Sequence, residues 1–238
     1  MKTATATAEQ ATISPVSLSL SIRKALLICG ILSSLLYIAM NVVVAAQWQA
    51  YNSVSQTVSE LSAIGAPTRP LWVMLAIIYS LLVSVFGWGV RASAGQNRSL
   101  RITGNLLVIN GGLGMVSHFT PMHMRGAVPT LIDTEHIALG TAIILSMLLT
   151  IGYGAGAFGK RFRFYSITTI LVILVSGTLM GMESPRIAEN LSTSFIGIWE
   201  RICVLAFLIW VIVLAAILLR ALEEHSENNP IEIMDKPA

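Results

Sequence analysis

The stretch ALLICGILSSLLYIAMNVVVAA, residues 25–46, contains no Asp, Glu, Lys or Arg. About 20 apolar residues in helical form cross the hydrocarbon core of a bilayer, because a helix satisfies every backbone polar group internally. Five further segments show the same pattern, and the period-two alternation of membrane β-strands is absent. The sequence therefore predicts an all-α fold, a six-helix transmembrane bundle. Its spans are Ala25–Ala46, Leu71–Val90, Ile102–Phe119, Ile137–Ala157, Phe164–Met182 and Ile202–Leu219.

The composition agrees with a membrane protein. Hydrophobic residues make up 55% of the chain and charged residues 11%, whereas soluble domains carry about 25% charged residues. The net charge is +3, but the basic residues cluster at the ends of apolar segments, so nucleic acid is not an expected partner. The two cysteines, Cys29 and Cys203, cannot form a disulfide framework and fall near opposite membrane faces.

The basic residues predict the orientation of the bundle. Four lie on the side of the first, third and fifth connections: Arg69, Arg125, Arg186 and Arg201. Nine lie on the other side: Arg23, Lys24, Arg91, Arg98, Arg101, Lys160, Arg161, Arg163 and Arg220. The positive-inside rule therefore predicts that both termini are cytoplasmic. Residues 1–24 lack the apolar core of a signal peptide and are expected to form a flexible tail, residues 25–220 the membrane domain, and residues 221–238 an acidic, flexible tail.

The first outer connection contains YNSVSQTVSELSAIGAPTRP, residues 51–70. Thr57 and Glu60 have the spacing of a capping box, and Gly65 with Pro67 is typical of a helix end, so a short interfacial helix is predicted. This helix either covers the mouth of the bundle or presents a hydroxyl-lined wall to a substrate. One face would carry Val54, Val58 and Leu61, and another Ser55, Ser59 and Ser62.

The second outer connection, SHFTPMHMRGAVPTLIDTEH (residues 117–136), holds three of the four histidines. His118 ends the third predicted span, while Asp133 and His136 are spaced i, i+3 at the start of the fourth. Zinc accepts two or three histidines with a carboxylate, so His118, Asp133 and His136 are candidate metal ligands. In the alternative interpretation Asp133 caps the helix and His136 bonds an interfacial group.

The sixth span begins with GIWERIC, which places Glu200 and Arg201 where the lipid begins. Arg201 is expected either to extend its charge to the interface or to pair across the bundle mouth. Its candidate partners are Glu60, Asp133 and Glu183, with Glu60 preferred.

Three of these features resemble a known family. SVSQTVSELSAIGAPTRP after the first span, His136 opening the fourth span and GIWERI opening the sixth are similar to the domain-of-unknown-function 998 family of bacterial and archaeal membrane proteins. The resemblance covers most of residues 26–219. It implies a multi-span integral membrane protein of a prokaryotic inner membrane and assigns no activity.

Two more distant resemblances point towards lipid. One is to the membrane hydrolases that include alkaline ceramidases and adiponectin-type receptors, which hold zinc with a Ser, an Asp and histidines. The chain lacks their H-x-x-x-H motif in a late span and has six predicted spans rather than seven. The other is to six-span autophagy modulators and lipid-remodelling proteins, whose polar motif in the first outer loop loosely matches Ser59 and Glu60.

Two functions follow as hypotheses for a polar cavity on the non-cytoplasmic side. One is a metal-assisted hydrolase or transferase acting on membrane lipid or another amphiphile, with zinc as the candidate cofactor. Its ligands would be His118, Asp133 and His136, and its candidate catalytic residues are Ser59, Glu60 and Glu200. The other is a non-enzymatic sensor, transporter or assembly factor in which the same residues are structural.

Overall fold

A computed structural model of the protein describes residues 19–228, and every regular element in that range is helical. The parts of the two predicted tails at residues 1–18 and 229–238 lie outside the described residues. Six helices of 20 residues or more are present, together with a four-residue α-helix and a four-residue 3₁₀-helix, Ser59–Ser62. The helices are α1 (Leu20–Ala46), α2 (Arg69–Ala92), α3 (Arg98–Ser117), α4 (Leu131–Ala155), α5 (Lys160–Glu183), α6 (Pro185–Ala188) and α7 (Ile196–Asn228).

All six predicted spans coincide with a long helix. Five of these helices are long and apolar enough to cross a membrane: α1, α2, α4, α5 and α7. The sixth, α3, is 20 residues long but less apolar, since it includes Arg98, Arg101, Asn105 and Asn110. Helices α1 and α7 also extend beyond the predicted spans, because a helix continues past the lipid wherever its backbone hydrogen bonds remain satisfied.

The long helices form a closed ring in which each packs mainly against two neighbours. The order around the ring is α1, α2, α3, α4, α5 and α7, and α7 returns to α1. Trp210 and Phe207 of α7 and Phe86 of α2 are completely buried in the main apolar cluster. The indole of Trp210 donates to Ser166 Oγ of α5 (2.9 Å), and Ser34 Oγ of α1 donates to the carbonyl of Leu208 (3.2 Å). Buried hydroxyls thus connect α7 to both of its neighbours.

Contacts near the ends of the long helices and between loops define the two ends of the bundle. At one end, here named the terminal face, Lys24 Nζ lies 3.3 Å from Glu223 Oε1, and Asn97 Nδ2 donates to the carbonyl of Ala157 (2.9 Å). The opposite end, named the loop face, is formed by residues 47–68, 118–130 and 184–195. Every long helix therefore runs from one face to the other.

Candidate functional site: the loop face and the groove between α1 and α7

The 3₁₀-helix on the loop face is held by the reciprocal bonds that the sequence predicts. Glu60 N donates to Thr57 Oγ1 (3.3 Å), and Thr57 N donates to Glu60 Oε2 (2.7 Å). The helix is shorter than predicted, because only Ser59–Ser62 is helical and Gly65 then adopts a φ of 90°. The predicted helical face of Ser55, Ser59 and Ser62 is wrong, because a helix of four residues cannot hold serines at positions i, i+4 and i+7.

Glu60 is buried, with 1% of its surface exposed, and its charge is balanced by Arg125. Arg125 Nε lies 2.6 Å from Glu60 Oε1, and Arg125 Nη2 lies 3.0 Å from Glu60 Oε2. The same Nη2 donates to the carbonyl of Ser55 (2.8 Å). A buried carboxylate is tolerated when it is paired and hydrogen-bonded in this way. Both oxygens of the predicted acid–base residue Glu60 therefore have protein partners.

Glu200, near the start of α7, binds the same loop from the other side. Its Oε2 accepts the backbone N–H of Val58 (2.5 Å), and its Oε1 accepts Ser59 Oγ (3.4 Å). The structure thus brings together Ser59 and Glu200, two of the predicted catalytic residues. Among residues 19–228, Glu200 forms no ion pair.

The predicted pairing of Arg201 with a carboxylate is wrong. Its Nη1 donates to the carbonyls of Ser53 (2.8 Å), Gln56 (3.2 Å) and Gly197 (2.9 Å), and its Nη2 donates to Tyr51 Oη (2.7 Å). A guanidinium carries five N–H donors, so a single arginine can satisfy several backbone carbonyls of a bent loop.

Of the other proposed partners of Arg201, Glu183 accepts the backbone N–H of Ser194 (2.8 Å) and Asp133 pairs with His123.

Burial raises the pKa of Tyr51 to about 12, so this phenol stays protonated and donates to the carbonyl of Thr57 (2.8 Å).

Residues 51–62, named here the capping loop, lie directly against the start of α7. The backbone N–H of Gly197 donates to the carbonyl of Val54 (3.1 Å). A Cβ atom at Gly197 would overlap the carbonyl oxygens of Gln56 and Ser53. This close approach requires glycine and explains the short distances between the capping loop and Arg201.

Two of the three predicted metal ligands, Asp133 and His136, are hydrogen-bonded to other groups of the protein. Asp133 Oδ1 accepts the backbone N–H of His123 (2.8 Å), and its Oδ2 lies 2.8 Å from His123 Nδ1 and from Thr130 N. His136 Nδ1 bonds the carbonyl of Thr120 (2.8 Å), and His118 Nε2 is buried without a hydrogen-bond partner. Within residues 19–228, no three His, Cys, Asp or Glu side chains are grouped so that they could hold a metal ion. Zinc binding therefore stays a prediction without a geometric site.

Sequence reasoning missed His123 and Arg125, which are the partners of Asp133 and Glu60. A signal for the second pair was present. Glu60 is the one acidic residue in residues 47–70, and Arg125 is the one Lys or Arg in residues 120–136. This signal is weak, because residues 47–70 also contain Arg69 and residues 120–136 also contain Asp133 and Glu135.

A groove of about 450 Å³ lies between α1 and α7 beneath the capping loop. The size falls within the range of about 300–1,000 Å³ typical of small-molecule sites. Its walls are apolar, and its polar groups come from Tyr37, Asn41, Ser53 and Arg201. The apolar lining consists of Ile38, Val42, Ala45, Ala46, Val58, Val204, Leu205 and Leu208.

Residues 31–217 match the family described as "Protein of unknown function (DUF998)". The chain belongs to the DUF998 family. The match confirms the resemblance seen in the sequence and runs from α1 to α7, so both walls of the groove and the whole loop face lie within the DUF998 region. No curated protein and no solved structure matches the chain. Family membership and the five apolar helices together identify a multi-pass integral membrane protein.

Proposed function

We propose that this DUF998 protein crosses a prokaryotic inner membrane six times, with both termini in the cytoplasm. The less apolar α3 is the sixth span, because its 20 residues cover about 30 Å, the thickness of a bilayer core. Helix α3 also runs from the terminal face to the loop face, and it lies between α2 and α4. The excess of Lys and Arg on the terminal face supports a cytoplasmic position for that face.

We further propose that the protein binds a membrane lipid or another single-chain amphiphile in the groove between α1 and α7. The observation that carries this proposal is the composition of the groove, which joins apolar helix walls to polar groups at Asn41, Ser53 and Arg201. An acyl chain is complementary to the apolar walls, and a polar head group is complementary to the polar groups of the groove. Val42 and Leu205 line the groove and are 67% and 38% exposed, so the groove opens sideways, where lipid surrounds a membrane protein.

The charged residues of the loop face have a positioning role in this proposal. Ser53 and Val58 belong to both the capping loop and the groove lining. Arg201 binds the carbonyl of Ser53, and Glu200 binds the backbone N–H of Val58. Arg125 and Glu60 connect the capping loop to the second outer connection. These bonds fix the upper wall of the groove and preorganise it for a ligand.

Hydrolase or transferase activity stays a prediction. The contact between Ser59 Oγ and Glu200 Oε1 (3.4 Å) is the part of the loop face that could support such chemistry, since a hydroxyl nucleophile requires an adjacent base. In the non-enzymatic alternative, the bond from Val58 N to the same carboxylate lets Glu200 position the capping loop.

A groove-blocking substitution tests the lipid proposal. Val42→Trp places a large side chain in the groove, while Val175→Trp places the same side chain on α5, where the valine is 61% exposed and outside the groove. The affinity of the purified protein for a fluorescent fatty-acyl probe should fall at least about tenfold with Val42→Trp and stay unchanged with Val175→Trp. Equal binding by the two variants would contradict the proposal.

A further inference from the structure

The lining of the groove carries a positive charge without a negative one. Arg201 is the charged residue among the lining residues, and the other polar members are neutral: Tyr37, Asn41 and Ser53. The rest of the lining is apolar. An ionisable side chain in such a place within a membrane protein either pairs with an opposite charge or marks a ligand site.

The acidic residues that bind the capping loop do not pair with Arg201. Glu60 forms its ion pair with Arg125 (2.6 Å). Glu200 is outside the groove lining, and its Oε2 accepts a backbone N–H of the capping loop (2.5 Å). Within the described part of the chain, Arg201 forms no ion pair. Its acceptors are three backbone carbonyls and the hydroxyl of Tyr51, which satisfy hydrogen bonds but carry no countercharge.

The guanidinium also keeps a donor for a ligand. Of its five N–H groups, one is on Nε and two are on each Nη. The hydrogen bonds of Arg201 start from Nη1 and Nη2, so the Nε–H has no acceptor within residues 19–228. Nε is not among the fully buried atoms that lack a partner, so it retains accessible surface.

We propose that the groove takes a single-chain amphiphile whose head group is an oxyanion, a carboxylate or a phosphate, an assignment that rests on the proposed lipid binding. Coulomb attraction to Arg201 is stronger beside apolar walls than in water, and hydrogen bonds from a guanidinium to an oxyanion are about twice as strong as neutral ones. Arg201 lies at the loop-face end of the groove, and Leu208 lies about 10 Å further along α7. This arrangement fits a head group at the membrane surface and a chain directed towards the bilayer centre.

Two matched pairs of compounds, all with an oleoyl chain, test the assignment on the wild-type protein. Oleate is compared with methyl oleate, and oleoylglycerol phosphate with monooleoylglycerol, so each pair differs in its anionic charge. Each compound displaces a neutral fluorescent acyl probe from the full-length protein in a non-ionic detergent at about pH 9, where both anions are ionised. We expect each anion to bind about tenfold or more tightly than its neutral counterpart, the effect of one charge-assisted hydrogen bond.

Substitutions show whether the preference comes from this side chain. Arg201→Gln removes the charge and should abolish the preference within each pair, whereas Arg201→Lys keeps the charge and should keep a preference for the anion. Arg69→Gln is the matched control, because Arg69 binds the carbonyl of Ser62 on the same face but lies outside the groove lining. Partition of the compounds into detergent is the same for every variant. If Arg201→Gln loosens the capping loop and loses methyl oleate as well, the wild-type and Arg201→Lys measurements decide.

The outcomes separate the head-group assignment from groove binding. A wild-type preference within one pair alone supports the assignment and identifies the head group, a fatty-acid carboxylate or a lipid phosphate. Equal affinity within both pairs, or a preference that persists in Arg201→Gln, overturns the assignment while groove binding stands. Failure of every compound to displace the probe removes the proposed lipid binding together with the assignment.

Discussion

Arg125 Nε lies 2.6 Å from Glu60 Oε1, and this contact joins two outer connections that are 65 residues apart in the sequence. The Glu60 side chain is 2% exposed and the Arg125 side chain 18% exposed. In a low-dielectric environment such a pair gains little net free energy, but each partner depends on the other because an unpaired buried charge is costly. The pair therefore keeps the capping loop in position.

Breaking this pair should destabilise the protein strongly. Removing one partner of a buried pair costs about 3–5 kcal/mol. We expect Glu60→Gln and Arg125→Gln each to lower the thermal unfolding temperature in detergent and their effects to be far from additive in a double-mutant cycle. The control is Lys24–Glu223, whose side chains are 35% and 57% exposed, and which should contribute about 0–1 kcal/mol. Additive losses for Glu60 and Arg125 would contradict the pairing.

Tyr51 should make stability fall at high pH. Its pKa is raised from 10.0 to about 12 by burial, so the folded protein retains the phenolic proton after the unfolded chain has lost it. The contribution of Tyr51 to the free energy of unfolding is complete below pH 10 and is lost as the pH rises from 10 to about 12. Tyr51→Phe should therefore flatten the decline in unfolding free energy over this interval. The other tyrosines titrate in both proteins and cancel, and an unchanged slope would contradict the assignment.

Asp133 should protect the backbone of the second outer connection. Its carboxylate accepts the N–H groups of His123 and Thr130, each at 2.8 Å. Hydrogen bonds to a charged group contribute about 1.5–3 kcal/mol, which corresponds to about 10- to 150-fold in amide exchange. Asp133→Ala should accelerate hydrogen exchange at these two amides by that factor. Glu135→Ala is the control, since Glu135 is exposed, and equal effects of both substitutions would contradict a specific role for Asp133.

The proposed orientation has its own test. A reporter that is active only in the cytoplasm should work when fused after Arg220, at the terminal face, and fail when inserted near Gly126, on the loop face. Gly126 has a φ of 74° in a turn, a suitable place for an insertion. The reverse pattern of activity would overturn the orientation, and activity at both places would contradict three spans between Gly126 and Arg220.

The sequence predicted those features that depend on neighbouring residues. The helices follow from apolar runs such as residues 25–46, and the reciprocal Thr57–Glu60 bonds follow from an i, i+3 pattern. Local sequence patterns do not predict that Glu60 pairs with Arg125 rather than with Arg201. Several cations were available, and only the packing of the outer connections brings one of them within 3 Å. The groove was missed for the same reason, because it exists only where α1 packs against α7.

Cross-linking by a photoactivatable fatty-acyl probe tests directly whether lipid binds between α1 and α7. Many apolar side chains face the surroundings, including Leu171 and Val175 on α5 at 56% and 61% exposure, so exposure alone predicts labelling of every helix. We expect peptide mapping to place saturable, competitor-sensitive labels on residues 38–46 of α1 and 204–208 of α7. Labels spread evenly over α4, α5 and the α1–α7 surface, without saturation, would contradict it.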